Sequence, residues 1–101
     1  MRMMSWNVRG LGMAAKRHAV QKVIRQHRCE LVVLQETKLE VVTDAIVRRI
    51  WIMDNFEYVF TAAEGRSGDI VVIWDKARFL LHGSLIQFRF VMVEGHWLIE
   101  D

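Results

Sequence analysis

The chain has 101 residues, 52% of them hydrophobic and 26% charged, with a formal net charge of +2. That length and balance fit one small folded domain and exclude a disordered tail or a low-complexity linker. No apolar run approaches the ~20 residues a membrane-spanning helix needs, and a single cysteine, Cys29, excludes an internal disulfide and any multi-cysteine zinc site.

Met3 to Val8 reads as a strand that runs into a glycine turn, Gly10-Leu11-Gly12. From Met13 to Arg28 the period changes to helical. Val20, Val23 and Ile24 share one face there, while Lys16, Lys22, Arg25 and Arg28 occupy the others. Leu31-Val32-Val33-Leu34 is an unbroken apolar run, the pattern of a strand covered on both faces in a parallel βαβ unit. Leu39, Val42, Ile46, Ile50 and Met53 step along one side and predict a second helix over Leu39–Met53. Phe56–Phe60 reads as a strand, Glu64–Gly68 as a turn, and Ile70–Trp74 as another fully apolar strand. Phe79–Leu81, Leu85–Val93 and His96–Ile99 complete the list of expected strands, punctuated by Gly83 and Gly95. The order β-α-β-α followed by strands belongs to an α/β or α+β sandwich.

Charge is uneven along the chain. Residues 1–50 carry ten Lys/Arg and four Asp/Glu, while residues 51–101 carry four and eight. The basic half is compatible with a polyanionic partner, although a solvated helix face explains the same excess. The N-terminal residues contain no continuous apolar stretch of the kind a secretory signal needs, so an intracellular location, nuclear or cytoplasmic, is expected. Cys29 reads as a small core residue rather than a nucleophile.

Two positions stand out chemically. Asn7 ends the first strand and Glu36 follows the second. If those strands are parallel neighbours, both side chains emerge at the sheet edge where open α/β sheets place their ligands. A carboxylate there suits a hard cation such as magnesium, and an adjacent amide can hold a phosphate or the carboxylate in register. None of His18, His27, His82 or His96 is brought to Glu36 by the sequence, so none is assigned an acid–base role.

The segments Ser5-Trp6-Asn7-Val8-Arg9-Gly10-Leu11-Gly12 and Leu34-Gln35-Glu36-Thr37-Lys38, with Glu36 twenty-nine residues after Asn7, form an ordered pair of motifs. Ser67-Gly68-Asp69-Ile70-Val71-Val72-Ile73-Trp74-Asp75 adds a third. Together they resemble the endonuclease/exonuclease/phosphatase (DNase I-like) superfamily, and within it the nuclease domain of plant non-LTR retrotransposon proteins. The resemblance implies part of a four-layer α-β-β-α sandwich that cleaves phosphodiester bonds with Mg2+, or Mn2+. It makes Glu36 a metal ligand and Asn7 a catalytic residue that orients the metal and the scissile phosphate. Nucleic acid, DNA first, becomes the partner, with Arg9, Lys16, Lys22 and Arg25 as candidate phosphate contacts. Trp6 and Trp74 are expected in the core.

The pattern departs from the family at Asp69, which stands where the third motif has its second glycine and so predicts a strained turn. The family pattern would also continue into a tyrosine-containing strand, an Asp-x-Asn pair and a Ser-Asp-His segment. Residues 1–101 are therefore expected to form the N-terminal part of a single domain, truncated at its C-terminal end and catalytically impaired. The inner faces of Ile70–Trp74 and Phe88–Val93 are expected to lack full covering, with self-association as a result. Two other readings remain open: a non-catalytic nucleic-acid-binding module using the helix over residues 16–28, and a retroelement remnant without selected function.

Overall fold

A computed structural model describes residues 1–51, 53–61, 69–87 and 90–98. The elements are β1 (Met3–Asn7), α1 (Ala14–His27), β2 (Leu31–Gln35), α2 (Asp44–Arg48), β3 (Phe56–Phe60), β4 (Ile70–Asp75), β5 (Phe79–Ile86) and β6 (Val91–Trp97). The turn predicted at Glu64–Gly68 lies outside the described residues, as do Phe88, Arg89 and Ile99 of the expected later strands.

The four-stranded sheet has the order β1-β2-β4-β3, with β1 and β2 parallel and β4 antiparallel to both its neighbours. A parallel pair requires a crossover, and α1 supplies it. Val20 and Ile24 of α1 are buried against Val32 and Leu34 of β2 and Val71 and Ile73 of β4, in a cluster that also takes Val47 of α2. Met4 and Trp6 of β1 pack partly against the same cluster. The alternate residues of the strands face the other way, because successive side chains leave a strand on opposite sides. There Leu31, Val72 and Trp74 are buried beneath Phe79, with Trp97, Val91 and Val93 of the β5–β6 hairpin packed around them. The result is a helix layer, a central sheet and the hairpin as a second sheet, a mixed α/β arrangement consistent with part of a DNase I-like sandwich.

The helices show how local chemistry sets boundaries. α1 starts without a side-chain cap, but the Arg17 guanidinium donates to the carbonyls of Leu11 and Gly12 at 2.8 and 2.9 Å and holds the entry turn. Its end is a left-handed residue, Arg28 (φ 51°), with the Cys29 N–H bonded to the Ile24 carbonyl, an arrangement that satisfies otherwise orphaned carbonyls. The second helix is far shorter than the apolar spacing of Leu39–Met53 predicts. Thr43 caps it by accepting from the Ile46 N–H at 3.3 Å, so it begins only at Asp44. The preceding Val41-Val42-Thr43 run is β-branched and stays out of the helix. Ile50 and Trp51 are still buried, carried in on a turn that bonds back to the Val47 carbonyl.

The strand-rich end also departs from expectation. In place of three short strands there is one long hairpin, with a bulge between Leu81 and Gly83. It covers the face of β4 that was expected to lie open: Val71 through Trp74 are all no more than 3% exposed. The hairpin's own outer side is apolar and uncovered, with Leu80, Leu85, Met92 and Leu98 exposed. Among the described residues no helix is long and apolar enough to cross a membrane.

The two hairpin glycines differ in what surrounds them. A Cβ at Gly95 would lie 2.1 Å from the Leu80 carbonyl oxygen and 2.7 Å from the Phe79 ring, while one at Gly83 would meet nothing within 4 Å. Gly95→Ala is expected to destabilise the chain by about 1–3 kcal/mol, as overpacking does. Gly83→Ala should stay within about 0.5 kcal/mol of the parent. Urea melts followed by tryptophan fluorescence measure both; equal midpoints for the two variants would contradict this account of the hairpin.

Candidate functional site

The parallel register of β1 and β2 pairs Asn7 with Gln35, which puts Glu36 one residue past the end of its strand. Pairing continues beyond the strands. Val8 N–H donates to the Gln35 carbonyl (2.9 Å), Gly10 N–H to that of Glu36 (2.7 Å) and Leu11 N–H to that of Thr37 (2.8 Å). The two segments therefore leave the sheet together, and the Asn7 amide Nδ2 donates directly to Glu36 Oε2. Both side chains are exposed at this rim.

Four residues of the rim have left-handed backbone: Arg9 (φ 54°), Gly10 (φ 108°), Glu36 (φ 54°) and Lys38 (φ 59°). For non-glycine residues this conformation is uncommon, costs on the order of 1 kcal/mol or more, and persists only where surrounding contacts enforce it. The Gly10–Glu36 and Leu11–Thr37 backbone bonds supply part of these contacts, and after Glu36 the rest come from Asp69. Its backbone carbonyl accepts from Thr37 N–H at 3.2 Å and its carboxylate accepts from Lys38 N–H. Asp69 is 3% exposed and Thr37 fully buried. Asp69 itself has no left-handed φ, and of the left-handed residues the one it bonds directly is Lys38. The sequence does not reveal this role, because no local pattern marks an aspartate as the partner of a loop thirty-one residues earlier.

The candidate phosphate contacts do not gather in one place. Arg9 is exposed in the rim turn beside Asn7, and Lys16, half-buried, sits in the first turn of α1 at the same end of the sheet. Lys22 lies farther along α1, exposed. Arg25 is at the far end, where it lines an open cavity of about 950 Å³ with Arg2, Arg28, Arg78 and Asp75, next to the start of β1. Cys29 lines it too, and burial pushes its thiol pKa up, opposed by the nearby Arg2, which disfavours the reactive thiolate.

The Asn7–Glu36 rim offers hard oxygen donors. Among the described residues no cluster of three or more His, Cys, Asp or Glu forms that would hold a metal by itself. Magnesium often takes only one or two carboxylates and completes its shell with water and substrate phosphate. Glu36, fixed by Asn7 and open to solvent, fits that demand.

A family model described as the Endonuclease/Exonuclease/phosphatase family matches residues 4–89, a span that includes Asn7, Glu36 and Asp69. No curated protein matches the chain.

Replacing Asp69 with alanine leaves the Lys38 N–H without its partner. Asp69→Ala is expected to lower stability by about 0.5–1.5 kcal/mol, the usual net worth of one hydrogen bond, since the Lys38 N–H is only part-buried. Faster amide exchange at Lys38 should accompany the destabilisation, and unchanged protection there would show that other contacts hold the rim.

Proposed function

The chain belongs to the endonuclease/exonuclease/phosphatase family, and from that membership we propose that it hydrolyses phosphodiester bonds in nucleic acid, DNA first, with a divalent metal at Glu36. The observation that carries this reading is the direct contact between the Asn7 amide and the Glu36 carboxylate at the end of two parallel strands. It fixes one carboxylate oxygen and leaves Oε1 without a partner among the described residues. Mg2+ suits such a site, and Mn2+ takes the same oxygen donors. Bound there, the ion would offset the negative charge that builds on the phosphate during attack by water.

The chain's own groups do the positioning. Asn7 holds the carboxylate in one orientation and lies within reach of a phosphate bound beside it. Arg9 and Lys16, at the same end of the sheet, supply positive charge for neighbouring phosphates. An exposed rim admits an extended polymer, and the likeness of the motifs to plant retrotransposon nucleases favours DNA in a nuclear or cytoplasmic setting. Hydrolysis also needs a group to activate water and one to protonate the leaving oxygen, beyond what one carboxylate and one amide provide. We therefore take these residues as the N-terminal part of one such domain and expect weak activity from them alone.

A second reading rests on a separate observation, the placement of Lys22 and Arg25 away from the rim. They can bind phosphates without contributing to cleavage, which makes the chain a nucleic-acid-binding module.

Nicking of supercoiled plasmid in Mg2+ tests the first reading. Glu36→Ala should reduce it by about a hundredfold or more, the scale of losing one charge-stabilising group, and chelation of the metal should abolish it. Nicking that survives Glu36→Ala unchanged would remove Glu36 from the chemistry. Salt titration of DNA binding tests the second. Neutralising Lys22 and Arg25 should flatten the slope of log K against log salt by about 0.9 for each phosphate that is no longer neutralised; an unchanged slope would leave that side of α1 as solvated surface.

A further inference from the structure

The outer side of the hairpin carries a pair of histidines that the rim chemistry does not use. His82 Nε2 and His96 Nδ1 are 2.5 Å apart, and the ring centroids are 4.7 Å apart with the planes inclined at 30°. The pairing register explains how they meet. Leu80 pairs with His96 and Gly83 with Glu94, and His82 is the extra residue at the bulge between Leu81 and Gly83. A bulge re-aims a side chain, and here it brings the His82 ring onto His96 instead of letting it stand across from Glu94. Both rings are exposed.

From this geometry we propose that His82 and His96 form a binding site for a divalent transition-metal ion of the zinc class. Neutral imidazole nitrogens are the preferred ligands of such ions and poor ligands for magnesium. With metal–nitrogen distances of about 2.0–2.1 Å, an ion needs the two nitrogens slightly farther apart than they are now. Rotation of two exposed rings provides that opening without moving the strands. Among the described residues no third His, Cys, Asp or Glu completes a cluster, so water fills the remaining positions. Glu94, two residues before His96 and on the same side of its strand, adds favourable negative charge nearby. The ion ties β5 to β6 across the bulge, so its binding and the order of the hairpin reinforce one another.

The site is independent of Glu36, and the difference in ligand hardness makes the two separable. Zinc titrated into the whole chain in excess Mg2+, followed through the imidazole resonances and by calorimetry, tests the proposal. One Zn2+ per chain is expected, with the His82 and His96 resonances shifting together. His82→Asn and His96→Asn should each weaken binding by about tenfold or more, since even loss of an outer partner of a metal ligand has that effect. His18→Asn and His27→Asn should change nothing. Far-UV circular dichroism checks that each variant keeps its fold, as exposed positions should. Zinc affinity that survives both hairpin substitutions, imidazole shifts confined to His18 or His27, or the absence of saturable binding would each overturn it.

Discussion

The rim depends on the register of one parallel strand pair. Met3 pairs with Leu31 and Asn7 with Gln35, and that alignment brings the Asn7 amide and the Glu36 carboxylate to the same rim within bonding reach. Register in a sheet is fixed by which face is buried, because a slip of one residue turns every side chain to the opposite side. In β1 that would lift Met4 and Trp6 off the helix-facing core and turn Asn7 toward it. The burial of Val20 and Ile24 on Val32 and Leu34 thus fixes more than stability. It positions the chemical groups at the strand ends.

Beyond the strands a different force takes over. Left-handed backbone at Arg9, Glu36 and Lys38 is unfavourable for each residue alone, so the rim is not a relaxed loop. Asp69 binds two successive amides, one through its carbonyl and one through its carboxylate, and so fixes the turn immediately after Glu36. The carbonyl bond is open to any residue, but the bond to the Lys38 N–H needs the aspartate side chain, which a glycine lacks.

Where burial follows a regular period, the sequence is a good guide. α1 differs from its expected span by one residue at each end, and β2 and β4 each extend their apolar runs by one residue. The second helix fails the same test because its apolar spacing is satisfied by a short helix followed by a buried turn, a solution that periodicity does not separate from a long helix. Asn7 and Glu36 are legible because each lies next to a strong strand signal. Asp69 and the His82–His96 pair are not, since both depend on pairings between distant segments and one of them on a bulge. The phosphate-contact candidates fall between these cases. Their helix is evident from sequence, but its direction across the sheet, which carries Lys16 toward the rim and Arg25 away from it, comes only from the crossover.

The hairpin's position has one more consequence for access. It packs on residues of β2, β3 and β4, with Leu31, Val72 and Trp74 at its centre, and among the described residues that cluster includes none from β1. Met3, Ser5 and Asn7 share the side of β1 that faces the same way, and all three are exposed. That arrangement leaves Met3 in solvent at 59% exposure, an unfavourable place for a methionine. It also leaves open the side of the sheet from which Asn7 projects toward Glu36. A hairpin displaced toward β1 would bury the methionine and close the approach to the rim, so the uncovered apolar surface here and the accessibility of the polar pair have a single structural origin.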